Sequence, residues 1–244
     1  MRVKVLGIGM GPQHVTPEVA GELRSCDYVV AARKRVDDRL LEVRRAVCEQ
    51  YGVPLVEFDD PQRDRDTVPG NGPAHYADAV RDWHEARVRS YESVLRERGG
   101  TAGLLVWGDP SLYDSAIRVV ERLAARNDLD WDVVPGISAP QVLAARHRVV
   151  LHEVGRPVHL TTARRLREDI AAGQTNLVVM LGGALALDGL EDWSIWWGAN
   201  LGTDSEELVA GRVGDRLGEL AAARARARAA AGWVMDIYLL RGPG

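Results

Sequence analysis

The fold of this chain is decided by one stretch, Val106-Trp107-Gly108-Asp109-Pro110-Ser111-Leu112-Tyr113. An apolar run, residues 102–107, leads into it, and a helical pattern follows from about Asp114. This order is typical of a buried strand, a tight turn and a helix in an open α/β sheet. Ligands of such sheets bind at the carboxyl ends of the strands, so we expect Asp109 at a binding edge. The alternative is a simple helix start in which Asp109 and Ser111 cap free amides.

The beginning of the chain predicts a second unit of the same kind. Residues 3–8 form a short apolar run that ends in Gly7-Ile8-Gly9-Met10-Gly11-Pro12, and Thr16-Pro17 suits a helix start. A dinucleotide-binding fingerprint is disfavoured, because its third glycine should stand at position 12, which is Pro12. Asp27 also precedes the second strand instead of ending it, so a ribose-binding acid is missing.

A third strand end follows at Pro135-Gly136-Ile137-Ser138-Ala139. Ser138 suits the cap of the next helix, and the free amides of that helix suit a polar ligand. Because the carboxyl ends of parallel strands share one edge, the turns at Asp109 and Ser138 together predict a small-molecule crevice.

Composition excludes several classes of protein. The 244 residues carry a net charge of −4 from 35 acids and 31 bases, which does not favour a nucleic-acid-binding protein. Cys26 and Cys48 form neither a disulfide framework nor a metal cluster, and a reducing compartment follows. No apolar window approaches the roughly 20 residues of a membrane span. We therefore expect a cytoplasmic protein with no membrane partner.

The chain changes character near residues 151–157. We predict an N-terminal α/β domain with a mostly parallel sheet, residues 1–152, and a C-terminal α/β domain with a mixed sheet, residues 153–244. Five strand-like runs fall in the second part: 158–162, 177–181, 195–199, 208–213 and 233–240. Two neighbouring pairs look compatible with hairpins, namely 195–199 with 208–213 and 208–213 with 233–240.

Between the third and fourth apolar strands of the first domain lie a loop and a long helix. The loop, residues 59–73, is rich in Asp, Arg, Pro and Gly, and we expect it to be mobile without substrate. On the helix, residues 74–98, His84 and Arg87 are neighbours at a spacing of three. They form either a functional pair or a solvated one.

Taken together, these motifs resemble the tetrapyrrole (corrin and porphyrin) methyltransferases. The resemblance rests on the Gly7 loop, the Gly108-Asp109-Pro110 turn and the Pro135-Gly136 turn, and it continues through Val178-Val179-Met180-Leu181-Gly182 and Leu201-Gly202-Thr203. The order and spacing of these pieces span nearly the whole chain. The chain departs from many relatives at Gly11-Pro12-Gln13, where they have Gly-Asp-Pro.

The resemblance implies two α/β domains with the active-site cleft between them and S-adenosylmethionine as the cofactor. The implied cofactor-binding residues are Pro12, Gly108, Asp109, Leu112, Ser138, Ala139, Leu181, Leu201, Gly202 and Met235. It also implies a homodimer and no metal. The six histidines and two cysteines show no ligand spacing.

Within the family, the resemblance points to enzymes of cobalamin biosynthesis that methylate precorrin-5 at C1. Hydrolytic loss of acetate then gives precorrin-6A. The motifs that point there include residues 83–87, Trp-His-Glu-Ala-Arg, and residues 161–166, Thr-Thr-Ala-Arg-Arg-Leu. The alternatives are a methylase acting at another precorrin position, or one acting on a protein as in diphthamide synthesis. A non-catalytic ligand-binding relative would be expected to lack Asp109 or the Ser138 turn.

Methyl transfer to an electron-rich carbon needs alignment more than proton transfer, whereas hydrolysis of the acetyl group benefits from a general base. The candidate bases are His84, His147, Asp109 and Asp236, and Asp109 and His84 are the predicted catalytic residues. The carboxylate side chains of a corrin precursor would suit guanidinium groups. The candidates for these contacts are Arg33, Lys34, Arg35, Arg146, Arg164 and Arg165.

Overall fold

The computed structural model describes residues 1–33, 38–61, 73–183 and 185–243. The side chains of residues 73–82 and of His84 lie outside this description. The chain divides into two compact units, Met1–Ile137 and Ser138–Gly244. Most of the loop expected to be mobile, residues 62–72, lies outside the described residues, as do Lys34 and Arg35.

The first unit is built on a five-stranded sheet in which every pair of neighbours is parallel, in the order β3-β2-β4-β1-β5. Its strands are β1 (Arg2–Gly7), β2 (Tyr28–Arg33), β3 (Leu55–Asp59), β4 (Thr101–Val106) and β5 (Asp130–Val134). The predicted apolar run before Asp109 is therefore a central strand, and the parallel sheet confirms the prediction for this half of the chain.

Helices cover both faces of this sheet. Successive side chains of a strand point to opposite faces, and because those of the central strands are apolar, both faces must be covered. On β4, Leu104 and Val106 pack in one apolar cluster with residues of two of the helices, and Leu105 packs in another on the opposite face. The helices are α1 (Pro17–Arg24), α2 (Arg39–Tyr51), α3 (Pro73–Arg98) and α4 (Ala116–Ala124). The predicted helix start is confirmed, because Thr16 accepts a hydrogen bond from the amide of Val19 at 3.2 Å. Gly52 ends α2 in the left-handed conformation.

The second unit contains a mixed five-stranded sheet in the order β6-β7-β10-β8-β9. Its strands are β6 (His159–Thr162), β7 (Asn176–Met180), β8 (Ser194–Ala199), β9 (Glu207–Arg212) and β10 (Asp236–Arg241). Only β6 and β7 are parallel. Its helices are α5 (Ala139–His147), α6 (Leu166–Ala171) and α7 (Val213–Ala231). The mixed sheet predicted for this half is confirmed.

One of the two predicted hairpins in this sheet is wrong. β8 and β9 pair antiparallel as expected, but β9 lies at the edge and does not pair with β10. The 19 residues of α7 carry the chain from that edge to the centre of the sheet, where β10 lies between β7 and β8. A run of strand-like residues cannot reveal this, because pairing partners are set by tertiary packing.

Helix α5 packs with the second unit, on β8, β9 and β10. Leu143 of α5 lies where a side chain on Gly198 would project, on the face of β8 opposite to that of Trp197. The compact units thus meet in sequence at Ile137 and Ser138, whereas the domain boundary predicted from composition follows α5. That predicted boundary, at residues 152 and 153, stays a prediction.

Four glycines at the carboxyl ends of β1, β4 and β5 allow their loops to touch. Gly9 and Gly108 exchange two backbone hydrogen bonds, of 3.2 and 2.8 Å. A Cβ atom on Gly136 would lie 2.2 Å from the carbonyl oxygen of Gly108 and 2.7 Å from the backbone of Gly7. The loops can meet only because Gly7 and Gly136 have no side chain.

We predict that Gly136→Ala lowers the free energy of unfolding by about 1–3 kcal/mol, because the new methyl group must displace backbone. Urea unfolding followed by circular dichroism measures this change. The matched control is Gly21→Ala in α1, where a Cβ would meet nothing within 4 Å. That substitution should instead stabilise the protein by about 0.4–1 kcal/mol. Equal effects of the two substitutions would contradict the contact between the loops.

Candidate active site

Asp109 joins two of the strand-end loops of the first unit. One carboxylate oxygen accepts a hydrogen bond from the backbone amide of Gly136 at 2.8 Å. The other oxygen accepts bonds from the backbone amide of Ser111, at 2.9 Å, and from the Ser111 hydroxyl. The predicted capping of amides by Asp109 is therefore present, and it includes an amide 27 residues away.

These bonds keep the Asp109 carboxylate ionised. Partial burial raises the pKa of Asp109, but the hydrogen bonds from Ser111 and Gly136 outweigh burial and hold it below its usual range. The negative charge stands at the carboxyl edge of the sheet, where the sequence predicted a ligand. Since an ionised carboxylate can accept more than three hydrogen bonds, a ligand contact is still open to it.

Of the other predicted residues of the first unit, Gly108 and Leu112 belong to this turn, and Pro12 lies in the loop after β1. Gly108 has φ +76°, and the nearest atom to a Cβ built there is the sulfur of Met10 at 3.8 Å, so backbone conformation and not crowding requires glycine. Leu112 donates its amide to the carbonyl of Asp109 at 3.2 Å. Pro12 begins a short 3₁₀ helix, Pro12–His14.

Sequence reasoning missed Tyr113, at the end of the same turn. Its backbone is left-handed, with φ +52°, and its ring is 44% exposed. A strained backbone that holds a large aromatic side chain in solvent is a common feature of functional sites. The signal in the sequence was an aromatic residue directly after a turn at a strand end.

In the second unit, the predicted residues Ser138 and Ala139 begin α5. The backbone amide of Ser138 donates to the side-chain oxygen of Gln141 at 2.8 Å, and its hydroxyl donates to the same oxygen at 2.9 Å. Ser138 is buried. The polar groups of Ser138 are thus used within the predicted helix cap, and cofactor binding by Ser138 stays a prediction.

Leu181 and Leu201, both predicted to bind the cofactor, have opposite environments. Leu181 follows β7 with φ +56°, and 62% of the residue is exposed. Leu201 is 1% exposed and fills the space above Gly198. The side chain of Leu181 is available to a ligand, and that of Leu201 belongs to the core.

A buried asparagine that sequence reasoning missed, Asn200, binds the backbone of Met235 and lies two residues before Gly202. Asn200 follows β8 with φ +49°. The side-chain oxygen of Asn200 accepts a hydrogen bond from the backbone amide of Met235 at 2.9 Å. The backbone amide of Asn200 donates to the backbone carbonyl of Met235, also at 2.9 Å. Gly202 donates its amide to the carboxylate of Glu206 at 2.7 Å. Asparagine at a strand end before a glycine was the available signal, because asparagine tolerates the left-handed conformation.

The structure separates the four candidate bases. His147 places Nε2 2.9 Å from the carbonyl oxygen of Trp197. Asp236 is buried and accepts a bond from Arg224 at 2.9 Å, which makes it a structural ion pair. Asp109 is held as described, and His84 lies on α3 with its side chain outside the described residues.

The candidate carboxylate-binding arginines mostly pair with acids of the chain. Arg33 lies 2.5 Å from Asp59, Arg146 lies 2.8 Å from Glu206, and Arg165 lies 3.0 Å from Glu168. All three pairs are partly exposed, so each contributes little to stability and can exchange partners. Arg164 is exposed.

Neither a metal cluster nor a membrane span is found in the described part of the chain. No three His, Cys, Asp or Glu side chains there are grouped to hold a metal ion. No helix there is both long and apolar enough to cross a bilayer.

Comparison with known proteins agrees with this architecture. A family profile described as Tetrapyrrole (Corrin/Porphyrin) Methylases matches residues 2–216. A precorrin-6A synthase (deacetylating) from Sinorhizobium sp. is 42% identical over 253 aligned positions, which cover 98% of this chain and 95% of that protein.

Two solved structures extend the comparison. The cobalamin synthesis related protein CobF from Corynebacterium diphtheriae has a TM-score of 0.83 and 36% identity, and the match covers 99% of this chain and 98% of that one. Uroporphyrin-III C-methyltransferase from Thermus thermophilus, complexed with S-adenosyl homocysteine, has a TM-score of 0.60 and 18% identity, covering 99% and 97%. The second match shows the fold alone. Given the family profile and the 42% identity over nearly the whole chain, this protein belongs to the tetrapyrrole (corrin/porphyrin) methylases.

Proposed function

We propose that this protein is an S-adenosylmethionine-dependent C-methyltransferase of cobalamin biosynthesis. It methylates precorrin-5 at C1, and hydrolytic loss of acetate gives precorrin-6A. The observation that supports this most is the 42% identity to a deacetylating precorrin-6A synthase over 98% of the chain. A cytoplasmic location and a homodimer, both expected from the sequence, stay predictions.

The residues present suit a sulfonium cofactor. S-adenosylmethionine supplies an electrophilic methyl group on a positively charged sulfur. The ionised carboxylate of Asp109 favours positive charge nearby, and the two loops at residues 7–12 and 107–113 contain no lysine or arginine. The exposed side chain of Leu181 offers an apolar surface of the kind that a nucleoside base needs.

The proposed cofactor contacts are taken residue by residue from the family resemblance. In the first unit they are Pro12, Gly108, Asp109 and Leu112, and in the second unit they are Ser138, Ala139, Leu181, Leu201, Gly202 and Met235. The structure modifies the expected kind of contact at two of them. The buried Leu201 can offer only its backbone, and the Ser138 hydroxyl is already bonded to Gln141.

Methyl transfer by this site depends on alignment. Reacting atoms that are held in line can contribute roughly 7–11 kcal/mol to the lowering of the barrier. The glycine contacts and the bond from Gly136 to Asp109 hold the strand-end loops in one arrangement. Asp109 is therefore a positioning residue for the loops and, through its charge, a candidate contact of the cofactor.

Loss of acetate requires water to attack a carbonyl carbon. A neutral histidine that takes a proton from this water lowers the barrier, and the protonated ring can return the proton to the leaving carbon. We assign this role to His84, on the helix that also contains Trp83 and Arg87.

Incubation of the purified protein with precorrin-5 and S-adenosylmethionine tests the reaction directly. We expect S-adenosylhomocysteine, free acetate and a tetrapyrrole that has gained one methyl and lost one acetyl group, all measured by mass spectrometry. Methylation of precorrin-4, or of a translation factor peptide, in place of precorrin-5 would favour the alternative substrates. No methyl transfer to any tetrapyrrole would contradict the proposed function.

Asp109→Ala should weaken S-adenosylhomocysteine binding by about 1–3 kcal/mol. This corresponds to a rise of about 5- to 150-fold in Kd, measured by calorimetry. The cause is loss of a charged acceptor and of the tie to Gly136. Asp130→Ala is the control, because that side chain is 73% exposed on β5 and should leave the affinity unchanged. Unaltered affinity in Asp109→Ala would exclude this role.

His84→Ala should leave S-adenosylhomocysteine affinity unchanged and slow the loss of acetate by a factor on the order of a hundred. Mass spectrometry would then detect a methylated product that still contains the acetyl group. His152→Ala serves as the control, since His152 is exposed in the second unit and bonded to a backbone carbonyl. Normal turnover by His84→Ala would return this histidine to a surface role.

A further inference from the structure

A cavity of about 100 Å³ in the first unit is separate from the glycine turns and has a polar lining. The apolar part of its wall comes from the carboxyl halves of β2 and β4 and from Ala116 and Val119 of α4. The polar part comes from Arg44 of α2, Arg87 and Tyr91 of α3, and Asp114 and Ser115 before α4. A water molecule takes about 30 Å³ of liquid volume, so this space suits a group of three or four heavy atoms.

Arg44 is the group on this wall whose charge is least satisfied. Its Nε donates to the backbone carbonyl of Leu105 at 2.9 Å, which fixes the guanidinium against β4. Within the described residues, no carboxylate forms an ion pair with Arg44, and its two terminal nitrogens form no hydrogen bond. Such a planar pair of donors matches the two oxygens of a carboxylate.

The second arginine is already neutralised. Arg87 Nε lies 2.9 Å from the carboxylate of Asp60, and both side chains are nearly buried. The guanidinium also lies 5.0 Å from the centre of the Trp83 ring, and one of its nitrogens is 3.4 Å from the Ser115 hydroxyl. Arg87 is thus paired with an acid and lies against the Ser115 hydroxyl.

Two hydroxyl groups complete the polar wall. Tyr91 is 8% exposed, packs edge-on against Phe58, and its hydroxyl forms no hydrogen bond with the described residues. Ser115 precedes α4, but its hydroxyl does not cap that helix. A hydroxyl group on the wall of a polar cavity can donate a hydrogen bond to a ligand that accepts one.

Asp114 limits what the cavity can hold. Its carboxylate accepts the amide of Ala116 at 2.6 Å and thus adds a negative charge to the wall. Among the residues that the structure describes at this wall, the charges of Arg44, Arg87, Asp60 and Asp114 sum to zero. Binding therefore depends on directed hydrogen bonds from Arg44 and the hydroxyls, and a doubly charged anion is disfavoured.

We propose that this cavity is a binding site for a two-carbon carboxylate, with Arg44 as its anchor. The proposal rests on the proposed function, in which two sources of this group exist. One is a carboxymethyl side chain of the tetrapyrrole, and the other is the acetate that the reaction releases. Modest affinity suits both, because a side chain is only part of a larger ligand and a product must leave.

Calorimetric or NMR titration of the full-length, ligand-free protein with sodium acetate tests the site without any tetrapyrrole. We expect acetate to bind, and acetamide and sulfate to bind at least tenfold more weakly. Arg44→Gln should lower the acetate affinity at least tenfold, as expected for loss of charged hydrogen bonds. The control is Arg45→Gln, because Arg45 is the next residue on α2 and pairs with Glu57; its acetate affinity should match the parent.

Tyr91→Phe gives a second variant in case Arg44→Gln does not fold, because it removes only the hydroxyl group. It should weaken acetate binding severalfold. The proposal would be overturned if acetate did not bind to the parent, or if both variants bound acetate with the affinity of the parent. Acetate binding that persists in a protein unable to methylate precorrin-5 would leave the site standing and contradict the proposed function instead.

Steady-state kinetics with precorrin-5 then identifies the source of the carboxylate. Competitive inhibition by acetate and a raised KM in Arg44→Gln would assign the cavity to a substrate side chain. Inhibition that is not competitive, with KM unchanged, would assign it to the released product. Either pattern supports the site, and the absence of any inhibition by acetate at concentrations that saturate the cavity would contradict it.

Discussion

The first unit depends on the close approach of three loops at the carboxyl edge of its parallel sheet. Gly7 and Gly136 meet there at distances that exclude a Cβ atom, and Asp109 holds the contact by accepting the Gly136 amide. Steric need and electrostatics thus act at one place. The glycines make the approach possible, and the carboxylate makes it favourable, because it satisfies an amide that would otherwise lack an acceptor.

The second unit solves the same problem with a different residue. Its loops follow antiparallel strands, and Asn200 links the end of β8 to the start of β10 through both its side chain and its backbone. Asn200 is 1% exposed, so its amide replaces the water that would otherwise satisfy the ends of the strands. In both units a single polar side chain fixes strand-end backbone. Each unit also has an exposed residue with left-handed backbone at a strand end, Tyr113 after β4 and Leu181 after β7.

Strand-end loops that are fixed by single polar side chains suit methyl transfer. A reaction whose main requirement is alignment needs rigid loops more than it needs titrating side chains. Rigid loops are what the glycine contacts, Asp109 and Asn200 supply. Two of the candidate bases, His147 and Asp236, are engaged in structural bonds and are therefore less available for proton transfer. Hydrolysis of the acetyl group is the step that needs a proton acceptor. The proposed acceptor, His84, lies on α3, which also contains Arg87 and Tyr91 of the cavity wall.

The sequence by itself determined the local units and the family. Strand, glycine turn and helix could be predicted at Gly7, Asp109 and Gly136 because periodicity and turn chemistry act over a few residues. The order of these turns along the chain was enough to identify the tetrapyrrole methylase fold and a parallel sheet followed by a mixed one. It was also enough to expect Asp109 to bind amides, since the cap within its own turn is a local bond.

Only the tertiary structure decided which distant groups meet. The partner of Asp109 is 27 residues away, β10 lies at the centre of its sheet and not beside β9, and Leu201 is buried while Leu181 is exposed. Tertiary contacts also pair Arg87 with Asp60, and among the described residues of the cavity wall this leaves Arg44 as the available cation. Each of these outcomes depends on contacts between residues far apart in the chain, and local propensity contains no information about them.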